Sequence, residues 1–168
     1  NALREIYLRE TDAHVQTLRA FLEDHRLRPE PHRLSEAAYR ACHTLSGSSK
    51  MAEQRHGIRL AEPLDHWLRR AWNSGTGLLT SELGLIEDCM EAMLQVARHP
   101  DESSGFFADH DVLRQRIAQA EVELDIVLVV ATTDAFAGSL DAIRDALGAG
   151  LLTPLEKLGP RVQIAVIG

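Results

Sequence analysis

A chain of 168 residues, 45% hydrophobic and 26% charged, is long enough to bury a real core and is ordinary for a globular protein. Its formal net charge of -7 argues against non-specific nucleic-acid binding, which needs basic surface to neutralise phosphates. The two cysteines, Cys42 and Cys89, show neither CxxC nor Cys/His metal spacing, and residues 126–131 form an apolar run far too short to cross a bilayer. The expectation is a reduced, cytoplasmic module with no membrane and no nucleic-acid partner. The chain opens at Asn1 rather than Met and stops after Val166-Ile167-Gly168, which reads as a segment of a longer protein.

Residues 2–25 read as a first helix. Leu8, Thr11, Val15, Leu18 and Leu22 recur at spacings of three and four, while Arg4, Glu5, Arg9, Glu10, Asp12 and Glu23 make a solvated outer surface. His25 and Arg26 suit the negative helix end, and Pro29 and Pro31 enforce a loop. Ser35 is the candidate N-cap of a second helix reaching about Gln54, with Arg55-His56-Gly57 as a short break. A third helix over 58–73 packs through Leu60, Ala61, Leu64, Trp67, Leu68 and Ala71, and Pro63 requires either a first-turn position or a kink. The Asn73-Ser74-Gly75-Thr76-Gly77 run terminates it. A fourth helix, capped by Thr80 or Ser81, runs to Arg98 with Leu83, Ile86, Met90, Met93, Leu94 and Ala97 as its stripe. The two methionines belong to the core at this spacing. A fifth, over 109–123, uses Val112, Leu113, Ile117 and Ala120. Five such helices with short connections predict an all-α antiparallel bundle over 1–123.

The texture changes in 124–168. Ile126-Val127-Leu128-Val129-Val130 is the run of a buried strand, 140–147 reads as a helix, and Val162-Gln163-Ile164-Ala165-Val166 as a second strand, together a βαβ-like extension. The alternative is that the fifth helix continues through the apolar run. Ala137-Gly138-Ser139 is not a nucleotide-binding fingerprint.

The stretch that stands apart is Ala41-Cys42-His43-Thr44-Leu45-Ser46-Gly47-Ser48-Ser49-Lys50. At about 100° per residue, Ala38, Ala41, Leu45, Ser48 and Ala52 fall on a small, packing side and His43 points almost the opposite way. Tyr39, Ser46, Gly47 and Lys50 are expected around it on the outward face. Gly47 costs roughly 1 kcal/mol against alanine in a helix and strips the surface bare beside an exposed imidazole.

This combination resembles the histidine-containing phosphotransfer (Hpt) domains, whose usual core is His-x-x-Lys-Gly. It is most similar to the repeated Hpt domains of the chemotaxis-like, CheA-type kinases of type IV pilus systems (the Chp/Pil branch), over about residues 3–120. Ile6-Tyr7-Leu8-Arg9-Glu10 and Ala61-Glu62-Pro63-Leu64 are also similar to that branch. The departure is Ser46 where the family has lysine.

The resemblance implies a two-component phosphorelay, with pilus-driven twitching motility as its context. His43 would accept a phosphoryl group from a histidine kinase catalytic domain and pass it to a receiver-domain aspartate, as part of a larger sensor kinase. ATP and Mg2+ would come from those partners, with no cofactor or metal site in this domain. Gly47 would admit the partner, Ser46 would donate a hydrogen bond to a phosphoryl oxygen, and Lys50, two turns on, would be a displaced substitute for the lysine. Tyr39, Gly47 and Lys50 would form the docking surface. Restoring lysine at position 46 is then expected to speed transfer.

Of the eight histidines, His14, His25, His32, His56, His66, His99 and His110 read as structural or solvent-facing, with His66 beside Trp67 the one expected to be partly buried. Two alternatives stand beside the transfer reading: a degenerate Hpt-like docking module, and a structural bundle for protein association that would show a broad apolar outer patch. For a hydrolase built on His43 with Ser46 or Ser48, no pocket, oxyanion donors or orienting acid are evident in the sequence. A metal site fails because no histidine lies three or four residues from His43.

Overall fold

The computed structural model describes residues 2–121, 123–129, 145–146, 149–150 and 161–167. Five helices precede two strands: α1 Ala2–His25, α2 Glu36–Met51, α3 Arg55–Ser74, α4 Thr80–Arg98, α5 His110–Ala120, β1 Glu123–Val129 and β2 Arg161–Ile167. The chain divides into two compact units, Asn1–Ala118 and Gln119–Gly168.

In the first unit α1 packs on α2 and α4, α2 on α3, and α3 on α4, closing a four-helix ring. Cross-helix pairs give the directions. Arg19 meets Glu91 and Arg26 meets Glu87, so α1 and α4 run oppositely. His43 meets Asp65 and Lys50 meets Glu62, so α2 and α3 do too. Tyr7, early in α1, meets Ser49, late in α2. The core is aliphatic and sulfur-rich, with Leu18, Leu22, Leu45, Leu60, Leu64, Leu68, Ile86, Met90, Met93 and Leu94 all buried.

The buried seam of α1 is Tyr7, Thr11, Val15, Leu18, Phe21 and Leu22, and Leu8 lies exposed, contrary to its expected place. Tyr7 takes that position because its ring fills the seam while its hydroxyl reaches Ser49 Oγ at 3.1 Å. Ser49 already donates to the Leu45 carbonyl at 2.8 Å, so Tyr7 is the donor in this pair.

Ser35 caps α2 as expected, accepting the Ala38 N–H at 3.1 Å. The break expected at 55–57 lies earlier, at 52–54, where Glu53 takes a positive φ of 54°. Gly57 belongs inside α3, and close approach explains it. A Cβ there would stand 2.6 Å from the Tyr7 hydroxyl and 3.2 Å from Ser49 Oγ. Pro63 sits two turns into α3, not in its first turn, so the Arg59 carbonyl lacks its helical donor. Gly75, at φ 66°, closes α3 in the left-handed conformation.

Leu79, and neither Thr80 nor Ser81, is the N-cap of α4. Its N–H is taken by the Glu82 carboxylate at 2.6 Å, and the Thr80 N–H by Glu30 at 2.8 Å. His32 and Leu78 exchange two backbone hydrogen bonds of 2.7 Å, pinning the α1–α2 loop to the α3–α4 loop. His32 Nε2 adds a 2.9 Å bond to Thr80 Oγ1. Leu113 and Ile117 bury α5 as expected, whereas Val112 is exposed. His66 is exposed as well; the deeply buried histidine is His32.

In the second unit β1 and β2 pair in parallel, in register from Glu123↔Arg161 to Val129↔Ile167. The continued-helix reading therefore fails from Glu123 onward. The helix expected over 140–147 lies outside the described residues except for Asp145 and Ala146, which are helical. A parallel pair requires a crossover connection rather than a hairpin.

Candidate functional site

His43 stands in the middle of α2 with its side chain 57% exposed. Opposite it on α3, Asp65 lies 11% exposed, with its two carboxylate oxygens 3.2 and 3.3 Å from His43 Nδ1. Arg69, one turn further along α3, places Nη2 2.9 Å from Asp65 Oδ2 and 3.1 Å from the same Nδ1. Nδ1 cannot both donate to the carboxylate and accept from the guanidinium. An Nδ1 lone pair facing two carboxylate oxygens would be repelled, so Nδ1 carries the proton and Arg69 donates to Asp65. The tautomer that follows leaves the Nε2 lone pair free, and Nε2 has no hydrogen-bond partner among the described residues.

The imidazole is also held from the side. Tyr39 stacks on it at 6.2 Å between ring centres and 17° between planes, and on Trp72 of α3 at 5.5 Å and 2°. Trp72, Tyr39 and His43 thus form an aromatic row beside an open face. Gly47 meets nothing within 4 Å of a built Cβ, which keeps the surface low on the far side of the ring.

The other expected residues fare differently. Ser46 is 4% exposed and does not share the outward face. Three residues from His43 it lies about 60° round the helix, on the edge towards Cys42 and Ser49. Lys50 is outward but engaged, 2.7 Å from Glu62. Ser48 is buried and donates to the Leu45 carbonyl, so neither serine presents a nucleophile beside His43. Burial pushes the Cys42 thiol well above its usual range, so the neighbouring cysteine is inert too.

Asp65, Arg69 and Trp72 were not among the residues singled out by sequence. Their spacing of four and then three places them on one ridge of α3, which was the available signal. A cleft of about 550 Å3 between α4 and α5 is lined by Asp88, Phe106, Phe107, His110 and Arg116, among others, and shares no residue with the His43 cluster. Among the described residues there is no group of three His, Cys, Asp or Glu side chains able to hold a metal ion, and no helix long and apolar enough to cross a membrane.

An exposed imidazole on a four-helix bundle, backed by a carboxylate, agrees with a comparison to family models, in which the Hpt domain model matches residues 2–100. The chain belongs to the Hpt domain family. Hpt domains carry phosphoryl groups on histidine in phosphorelays, and they interact with kinase and receiver domains. No curated protein and no solved structure gives a significant match. The Hpt match covers α1 to α4, the four helices of the ring, and ends before α5.

Proposed function

We propose that His43 is the phosphoacceptor, with Nε2 as the attacking atom. The observation that supports this most directly is the pairing of Nδ1 with Asp65, which leaves Nε2 as the free nitrogen of a side chain that is 57% exposed. As the Nε2–phosphorus bond forms, the donor's phosphorus–oxygen bond breaks and its electron pair leaves with ADP, or with the carboxylate of a phosphorylated receiver, and the ring gains positive charge while Nδ1 keeps its proton. The Asp65 carboxylate lies against that charge and stabilises it, as the acid of a catalytic triad does for its imidazolium. In the onward step a receiver aspartate oxygen attacks phosphorus, the phosphorus–nitrogen bond breaks, and its electron pair returns to Nε2. The reaction is mostly positioning and charge neutralisation, and ATP and Mg2+ belong to the partner domains.

The partners on this reading are a histidine kinase catalytic domain and a receiver domain, in the cytoplasm, and the chemotaxis-like pilus pathway is the context the sequence resemblance suggests. Docking would use the aromatic row of Tyr39 and Trp72 together with bare Gly47. The proposed acceptor lies in the first compact unit, Asn1–Ala118.

A second reading, a docking module without efficient transfer, is favoured by one observation. The lysine expected to face the phosphoryl group is replaced by a buried serine, and Lys50 is tied to Glu62. One experiment separates the two. The chain and its His43→Gln variant are incubated with a CheA-type kinase and ATP, and with phosphorylated receivers, and acid-labile phosphate is mapped. Labelling of the wild type and its loss in a folded His43→Gln chain is the expected result. Labelling of His43→Gln would overturn the assignment, and an unlabelled wild type would leave the docking reading.

A further inference from the structure

We infer that Arg69 supplies the cation that neutralises the phosphoryl group on His43, taking over from α3 the task that the family assigns to a lysine on α2. The inference rests on the reading of His43 as phosphoacceptor. Phosphoryl transfer leaves three charged oxygens at Nε2, and a cation aimed at them before reaction lowers the barrier without reorganisation. Three positions come into question. Position 46 is a serine that is 4% exposed and uncharged. Lys50 is held by Glu62 at 2.7 Å. Arg69 is already at the ring, 3.1 Å from Nδ1, with its side chain 44% exposed and therefore able to swing around the imidazole edge.

The donor inventory of Arg69 points the same way. Only Nη2 is engaged, by Asp65 and against His43, while its Nε is buried with no hydrogen-bond partner and Nη1 makes no bond among the described residues. A guanidinium has five N–H donors in a rigid fork suited to bridging two anions. One arm stays on Asp65 while the other takes a phosphoryl oxygen, so that Asp65, which fixes the imidazole tautomer, also anchors the cation. Asp65 and Arg69, one turn apart on α3, then act as one device, and the Asp65 pair resists the loss of Arg69 to bulk water.

The test uses the whole chain with phosphoramidate as donor, so no cognate kinase is needed. Nε2 attacks phosphorus, the donor's phosphorus–nitrogen bond breaks and ammonia leaves. Arg69→Ala is expected to lower the labelling rate about tenfold, well short of the hundredfold or more seen for buried oxyanion donors because this site is open to solvent. Arg69→Lys restores part of the rate. The decisive comparison is made in an Asp65→Asn background. If Arg69 touches the phosphoryl group, Arg69→Ala still slows labelling there, and the phosphorus NMR titration of phospho-His43 moves to higher pH when the arginine is removed. If Arg69 acts only by holding Asp65, the arginine effect vanishes in that background and the titration is unmoved, which overturns the inference. Wild-type chain that takes no label from phosphoramidate, or takes it at a site other than His43, refutes the phosphoacceptor reading and the inference with it.

Discussion

The contact between Gly57 and Tyr7 offers a strict test of how the three helices around the site are fastened. An alanine Cβ at 57 would lie 2.6 Å from the Tyr7 hydroxyl and 3.2 Å from Ser49 Oγ. Neither neighbour yields cheaply. Tyr7 is 2% exposed with its rigid ring fixed in the core, and Ser49 is held between the Tyr7 hydroxyl and the Leu45 carbonyl. Overpacking of this kind costs about 1–3 kcal/mol, while alanine returns at most about 1 kcal/mol of helix propensity. Gly57→Ala is therefore expected to destabilise by about 1–2 kcal/mol, a sign opposite to that of a glycine-to-alanine change on an open helix face. Tyr7→Phe alone loses one buried hydrogen bond, about 1 kcal/mol. It also removes the clashing oxygen, leaving Ser49 at 3.2 Å as the nearest obstacle. In the Tyr7→Phe background Gly57→Ala should then be close to neutral, giving a coupling of about 1–2 kcal/mol between two residues fifty positions apart in sequence. Urea unfolding of the four chains, followed by circular dichroism, measures it. Additive effects to within about 0.5 kcal/mol, or stabilisation by Gly57→Ala alone, would refute the reasoning.

Two further outcomes are expected. His56 and His110 flank Phe107 at 4.6 and 5.1 Å, and burial, aided by Arg55 and Arg59 for the first and by His56 for the second, lowers the pKa of each. Below the ordinary histidine range, near pH 6.5, the unfolded chain then binds more protons than the folded one, so stability should fall as pH drops from 7 towards 5.5. His110→Gln should flatten that slope in melting experiments, and an unchanged slope in both His110→Gln and His56→Gln would contradict the assignment. Ser46→Lys, expected from the family pattern to speed transfer, must place an ammonium where the native side chain is 4% exposed. The variant should therefore melt lower than wild type, and a chain of unchanged stability that labels faster would show that lysine escapes to the surface there.

The bundle was legible in the sequence where apolar spacing and breakers coincide. Pro29, Pro31 and the Gly75–Gly77 turn bracket their helices as expected, and α1 matches its expected range of 2–25. The α2–α3 boundary misled because Gly57 looks like a breaker and Ala52-Glu53-Gln54 does not; what Gly57 answers to is Tyr7, a contact across fifty residues that no local pattern displays. The outward phase of His43 followed from the helical period alone. Ser46 did not, because its place on the wheel is marginal and its exposure depends on what packs beside it. Asp65 and Arg69 belong to a different helix, and only the register of α2 on α3 brings them to the imidazole. In the tail, the β-branched run correctly implied a strand, and the parallel partner, 38 positions on, follows from the second such run.

That register has two distant anchors. At one end the reciprocal bonds of His32 with Leu78 tie the interhelical loops together, and at the other Tyr7, Ser49 and Gly57 interlock. An imidazole–carboxylate spacing of 3.2 Å tolerates little slippage between the two helices that carry it. A genetic search for chains that lose the acceptor activity proposed for His43 should accordingly recover lesions at both extremities of the bundle, at residues that do not touch the imidazole.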